Sequence, residues 1–219
     1  KKIRQELISH GISFLTNTDT EVVLESIEFW GLNKALSLFH GMFAFALWDT
    51  QKSILTLVRD RMGEKPLYYG WQGNSFLFGS ELKALKVHSD WKGGLDRSAI
   101  AQLLRYNYIP APQTIYPDVF KLEPGGMVTL SCKNNRWKEK NTSWWSVQQC
   151  TQEGAESPFT GSSSDAIDEL EKTLKHVLSE QHVADVPVGA FLSGGVDSTS
   201  VVSLLQSISS IPVQTFTIG

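Results

Sequence analysis

A chain of 219 residues that is 41% hydrophobic and 20% charged has the make-up of a soluble globular protein, with one large domain or one domain and part of another. Its net charge of −3 gives no reason to expect nucleic acid or an anionic membrane as partner, since both favour a basic patch, and no apolar run approaches the ~20 residues needed to span a bilayer. Cys132 and Cys150 lie in polar surroundings without metal-type spacing and read as bystander thiols, which points to a cytoplasmic protein.

The opening segment, KKIRQELISHG, is charged and amphipathic, unlike a signal peptide. Ile3, Leu7 and Ile8 share a helical face, and Gly11 is the expected C-cap. No capping residue precedes this helix, and the other end stops just after the apparent strand TFTIG, so the chain is expected to be an internal fragment. Asp19 precedes a helix-period run, Val22, Val23, Ile27 and Trp30, closed by Gly31, and a short helix carries Ala35, Leu36 and Phe39. GMFAFALWD (41–49) is apolar on both alternating faces, as expected of a strand buried between layers, and SILTLVRD (53–60) follows as its hairpin partner. KPLYYG and SFLFGS add two strands around Gly73-Asn74. Ser80 is the expected cap of a short helix, and Asp96 that of a longer one. Antiparallel strands buried on both faces, with helices outside, predict an α+β layered sandwich over 1–130.

After a Pro-rich passage and one more strand, residues 131–163 are polar and rich in Lys, Asn, Ser, Thr and Gly, and read as a linker. Trp144 and Trp145 are expected to pack that linker against a domain. From Ser164 or Asp165 a helix carries Ile167, Leu170, Leu174, Val177 and Leu178 on one stripe. Strand 186–192, a glycine loop, helix 198–207 and strand 213–218 then form a βαβ unit with parallel strands. Ligands of such sheets bind at the carboxyl ends of the strands, here the loop 193–198 with Thr217, Ile218 and Gly219.

The loop, SGGVDS, offers backbone N–H groups, two glycines, and hydroxyls at Ser193 and Ser198, at the positive end of a helix. That is a cradle for phosphate oxygens; the alternative is a plain strand-to-helix turn with Asp or Ser as N-cap. It is not G-x-x-x-x-G-K-[ST], so a γ-phosphate lysine is absent, and Asp197 makes better sense beside Mg²⁺ than beside bare phosphate. Arg59, Asp60, Arg61 and Lys65 of RDRMGEKPLYY read as a buried or bridging polar network that sets a tight turn. His10, His40, His88, His176 and His182 show no metal spacing.

LSGGVDS resembles the pyrophosphate loop of N-type ATP pyrophosphatases. TNTDTEVVL, GMFAFALWD, RDRMGEKPLYY and FGSELKAL, in that order upstream, resemble the glutamine-hydrolysing asparagine synthases over essentially the whole chain. The resemblance implies an N-terminal-nucleophile glutaminase domain, an αββα sandwich (1–130), followed by the start of an α/β parallel-sheet ATP pyrophosphatase domain (164–219). It implies ATP and Mg²⁺, and an enzyme that converts ATP, aspartate and glutamine to asparagine, glutamate, AMP and pyrophosphate through an aspartyl-adenylate attacked by ammonia. Asp19 matches the aspartate that binds the α-amino group of glutamine; an N-cap is its structural alternative. Leu192, Ser193, Gly194, Gly195, Asp197 and Ser198 match the pyrophosphate loop, Asp197 also as a Mg²⁺ ligand, and Ile218 matches a position that contacts adenine. A homodimer through the glutaminase domain is a further implied assembly.

The chain departs from the family pattern in starting at Lys1 rather than at a nucleophilic cysteine, and in lacking the early glutamine-binding segments and the later SGEGxDE-type segment. By itself it is expected to be inactive, with the activity belonging to its parent. Two other functions stay open: an ATP-dependent amidotransferase or cyclase acting on another acceptor, such as a polysaccharide-linked acid or a β-lactam precursor, and a non-catalytic regulatory protein built on the glutaminase domain. The intact SGGVDS argues against the last.

Overall fold

In the computed structural model, which describes residues 1–133, 136–181, 184 and 186–218, the apolar run from Phe43 to Leu47 enters an edge strand with Ala46 exposed, so it is not buried on both faces as expected. The chain divides into two compact units, Lys1–Gln149 and the remainder from Cys150. In the first, α1 (Lys2–Ser9), α2 (Asp19–Trp30) and α3 (Leu32–Leu38) precede a hairpin of β1 (Ala44–Asp49) and β2 (Ile54–Arg59). A second hairpin, β3 (Tyr68–Gln72) with β4 (Ser75–Gly79), turns at Gly73 and Asn74. Then come α4 (Leu82–Lys86), α5 (Arg97–Tyr106), β5 (Val119–Lys121), β6 (Gly126–Lys133) and β7 (Arg136–Ser143), while α6 (Val147–Glu156) crosses the boundary into the second unit. The strands form two antiparallel sheets, one in the order β1-β2-β6-β7 and one in the order β4-β3-β5.

The two-faced pattern of the first hairpin is what divides the core. In β2, Leu57 and Val58 are both almost fully buried, but as successive strand residues they face opposite ways. The register sets Phe45 beside Val58 and Met127 on one face, and Ala46 beside Leu57 and Val128 on the other. On the first face Val58 packs with Ala35, Leu36 and Phe39 of the helical segment, joined by Ile3, Val23, Ile27, Phe43 and Phe45. On the second Leu57 and Val128 pack with Leu67, Tyr69 and Leu122, so the second sheet covers that face. Burying such a side chain contributes about 1.5–3 kcal/mol relative to leaving it in water.

A buried polar knot closes the end of β2. Asp60 is 1% exposed, and its carboxylate accepts from Phe43 N (3.2 Å), Glu64 N (2.8 Å) and Lys65 N (2.9 Å). Its own N–H donates to Phe43 O, and its carbonyl accepts from Gly63 N and Gly125 N. Arg59 donates to the carbonyls of Gly63, Lys65 and Leu122, and partial burial pushes its pKa down from the ordinary value. Arg61 donates to Ser37 O and Phe39 O and lies over the Trp144 ring, whose Nε1 donates to Arg59 O. The expected polar network is therefore internal to the first unit. Gly125 has φ +63°, and a Cβ there would meet Trp145 O at 2.3 Å, so only glycine fits this junction.

Three expectations are corrected. Residues 131–163 are not a linker throughout: β6 runs to Lys133, β7 pairs along it from Gly126↔Ser143 to Lys133↔Arg136, and α6 follows. β7 is an edge strand, exposed at nearly every position; pairing satisfies its backbone, while its Lys, Arg and Glu side chains suit an uncovered edge. The first unit thus extends past 130. Trp144 packs against the helix-facing core as expected, stacking on Phe43 at 6.0 Å. Ser80 does not cap α4, because Glu81 remains extended at φ −136°, ψ 136° and the helix starts one residue later. Asp19 is not the N-cap of α2; Thr18 is. The Asp96 cap holds, its Oδ1 accepting from Ser98 N and Ala99 N. Gly11 closes α1, donating to Ile8 O while Ile12 N donates to Leu7 O.

In the second unit, α7 (Ser163–Gln181) packs on α8 (Val196–Ile208), and β8 (Gly189–Phe191) pairs parallel with β9 (Gln214–Phe216). The strands are shorter than expected, and among the described residues Leu205 is the one buried hydrophobic side chain of this unit. The stripe on α7 is present but exposed, with Ile167 and Leu170 more than half accessible. No helix of the described residues is long and apolar enough to cross a membrane. Gly219 and His182 lie outside the described residues.

Asp60→Ala leaves three part-buried N–H···O bonds without their acceptor and opens a cavity at a buried position, and is expected to destabilise the first unit by about 3 kcal/mol, with Asp60→Asn intermediate. Urea unfolding followed by tryptophan fluorescence measures this. A loss under about 1 kcal/mol would show that water replaces the carboxylate, contrary to the burial argument.

Candidate functional site

Between α1 and α2 the chain makes an exposed loop, with Leu15 95% accessible. Thr18 ends it as the N-cap of α2, its hydroxyl accepting from Glu21 N. Thr18 and Glu21 occupy the cap and N3 places of a T-x-x-E capping box, but the carboxylate reaches further back than usual. Glu21 accepts from Leu15 N (2.7 Å), Thr16 N (2.7 Å) and Thr16 Oγ1 (2.6 Å). Arg4, from α1, donates to Thr16 O (2.8 Å) and Thr18 O (3.1 Å), with its guanidinium 4.1 Å from the Phe14 ring centroid. Asp19 opens α2, exposed, and its carboxylate has no hydrogen bond or ion pair among the described residues. In the string Asp-Thr-Glu, one carboxylate is consumed by the loop and the other is free. A free anion in the first turn suits the positive end of the helix and can receive an ammonium by charge-assisted hydrogen bonds. Reading the sequence found Asp19 but missed Arg4 and Glu21; the T-x-x-E spacing was the available signal for Glu21.

The second candidate is the strand–loop–helix of the other unit. Leu192 N donates to Phe216 O, and Thr217 Oγ1 donates to Leu192 O (2.6 Å), tying the loop to the end of β9. Gly194 has φ +78°, and a Cβ added to it would meet nothing within 4 Å, so the main chain is open to solvent there. Gly195 is the N-cap of α8 and provides no side-chain cap. Thr199 N makes the first intrahelical bond, to Gly195 O, which leaves the first-turn N–H groups of Val196, Asp197 and Ser198 without an intrahelical acceptor. Ser198 Oγ donates to Gly195 O, accepts from Ser193 N (3.3 Å) and lies 3.0 Å from Ser193 Oγ. Neither Asp197 nor either serine caps the helix, although Gly194 takes the left-handed conformation that a plain strand-to-helix turn also requires. The loop is exposed, Asp197 included, and Ile218 is 89% accessible. Uncapped backbone donors and an uncrowded glycine fit a phosphate or pyrophosphate group. Among the described residues no cluster of three or more His, Cys, Asp or Glu is set to hold a metal.

Two clefts in the first unit, of about 300 and 330 Å³, are lined by neither Asp19 nor its loop. Tyr69, in the larger, is pushed up to about 12, by burial first and the charge of Glu139 next. Cys132 and Cys150 are free thiols.

A family model described as glutamine amidotransferase domain matches residues 1–145, and one described as asparagine synthase matches residues 169–219. The glutamine-hydrolyzing asparagine synthetase 3 of Bacillus subtilis is 33% identical over 204 residues, 92% of this chain and 31% of its own length. The glutamine-hydrolyzing asparagine synthetase 1 of the same organism is 30% identical over 219 residues, 100% of this chain and 32% of its own. Amidase chry2 of Gibberella zeae is 30% identical over 198 residues, 89% and 27%. The chain therefore spans about a third of the length of the curated relatives it matches.

The Glu21 carboxyl is held below the ordinary carboxylate range, by the Thr16 hydroxyl first and the Leu15 N–H next, with Arg4 adding a smaller attraction. A lowered folded-state value means that the stabilisation is present above the unfolded value of about 4.3 and is lost as pH falls through the lower folded value. An NMR titration of the Leu15 and Thr16 amides is expected to show a midpoint below that of a free glutamate. A midpoint at or above it would remove the carboxylate from the loop.

Proposed function

The chain belongs to the glutamine-hydrolysing asparagine synthase family, and from that premise we propose that the whole protein converts aspartate, glutamine and ATP to asparagine, glutamate, AMP and pyrophosphate. The first unit is read as the αββα sandwich of a glutaminase and the second as part of a parallel-sheet ATP pyrophosphatase domain. The observation that carries the reading is the pairing, in one chain, of an unengaged helix-opening carboxylate with an uncapped glycine loop between a strand and a helix.

Asp19 receives the α-ammonium of glutamine. Leu192, Ser193, Gly194, Gly195, Asp197 and Ser198 hold the phosphates of ATP, Asp197 also ligating Mg²⁺, and Ile218 lies against adenine. A carboxylate is a poor electrophile. Its oxygen attacks the α-phosphorus of ATP, pyrophosphate leaves, and AMP becomes the leaving group that ammonia displaces. The backbone donors of the loop suit the negative charge that accumulates on the departing pyrophosphate. Making ammonia from glutamine within the same protein keeps it unprotonated and close to the acyl group. A homodimer through the first unit and a cytoplasmic location belong to the same reading.

In a second reading the same two sites serve another carboxylate acceptor, and the relatives include a protein called an amidase rather than an asparagine synthetase. Incubation of the full-length protein with aspartate, glutamine and Mg-ATP separates the two. Asparagine and AMP in equal amounts are expected; AMP formation that requires a different acid supports the second. Asp197→Ala is expected to suppress ATP–pyrophosphate exchange by about a hundredfold, the scale of losing an electrostatic contact to the transition state. Unchanged exchange would show that the loop does not hold the phosphates.

A further inference from the structure

Almost no apolar burial fixes the loop that leads into Asp19. Leu15 is nearly fully accessible, and Thr16, Asn17 and Thr18 are all exposed. What holds the segment is polar and comes from two sides. Glu21 spends one oxygen on Leu15 N and the other on Thr16 N and Thr16 Oγ1. Arg4 reaches across from α1 with one η-nitrogen on Thr16 O and the other on Thr18 O. The N–H, hydroxyl and carbonyl of Thr16 are thus all engaged. Thr18 O belongs to the peptide plane that also contains Asp19 N, so the Arg4 contact sets the direction in which the chain enters Asp19.

Resting on the reading of Asp19 as the anchor for the glutamine ammonium, we propose that Glu21 and Arg4 are positioning residues for glutamine, clamping residues 15–18 so that Asp19 meets its ligand already oriented. Neither touches the substrate. Both charged groups are satisfied by the loop, which leaves Asp19 as the carboxylate available to an incoming ammonium. Without the clamp the loop samples other conformations, and glutamine must supply the ordering free energy when it binds.

The test uses the full-length protein and four variants, Asp19→Ala, Glu21→Gln, Arg4→Met and Arg4→Lys. Glutamine-dependent and ammonia-dependent synthesis are measured in parallel, with amide hydrogen exchange at Leu15 and Thr16. Ammonia-dependent synthesis does not need this loop and is the internal reference. Glu21→Gln and Arg4→Met are expected to raise the KM for glutamine about tenfold with kcat at saturation within about twofold, and Glu21→Gln to speed exchange at both amides. Arg4→Lys, which keeps a cation and one donor direction, is expected to recover part of the loss. If Asp19→Ala raises the KM while Glu21→Gln and Arg4→Met leave it unchanged, the clamp is rejected and the reading of Asp19 stands. If Asp19→Ala itself leaves the KM unchanged, the reading of Asp19 falls and the proposal with it. A parallel fall in both reactions would mark the pair as generally structural and equally overturn a positioning role.

Discussion

A single carboxylate buried at the end of β2 is the constraint on which the first unit depends. A charge taken out of water must be met by donors, and Asp60 is met by three backbone N–H groups from two segments, Phe43 before β1 and Glu64–Lys65 after the turn. Its main-chain groups are used as well, joining Phe43, Gly63 and Gly125. The entry to β1, the turn after β2 and the entry to β6 are therefore fixed relative to one another by one residue. Arg59 and Arg61 extend the arrangement by donating to carbonyls, and the Trp144 ring closes it from the end of β7.

With those entries fixed, the two-sided character of β2 follows. Leu57 and Val58 each lead into a separate cluster, so a slip of one residue in pairing would move Leu57 toward the helices and Val58 toward the second sheet. The helices that pack against Val58 also carry the candidate glutamine anchor, since α2 contributes Val23 and Ile27 to the core while opening with Asp19. Packing on one side of α2 thus holds a helix whose opening carboxylate, Asp19, is left unengaged. The loop ahead of it is held differently, by Arg4 and Glu21, because its side chains are in water.

Much of the architecture is legible in the residues. The apolar stretches 41–49 and 53–60 identify the first hairpin, and Asp96 reads correctly as a cap, because each signal is local. The burial expected on both faces is met in β2 but not in the edge strand β1, where Ala46 and Trp48 are exposed. Two kinds of feature are hidden. β7 reads as a polar linker, since an edge strand draws on backbone pairing that leaves no mark in side-chain hydrophobicity. The Arg4 contacts are hidden because they span 12 and 14 residues, further than any local pattern reaches.

For the two candidate sites the division is similar. The residue types alone determined that SGGVDS would place glycines and hydroxyls between a strand and a helix, and that Asp19 would stand at a helix start, since both depend on short-range backbone preferences. Only the tertiary structure decided which polar groups are already occupied. Ser198 is turned inward onto Gly195 and Ser193 while the first-turn N–H groups of α8 stay uncapped, and Glu21 is taken by the loop while Asp19 is left free. Hydrogen bonds are exclusive, so the availability of a donor or a carboxylate depends on which partners the fold brings within reach, and that is a property of the folded chain rather than of the string.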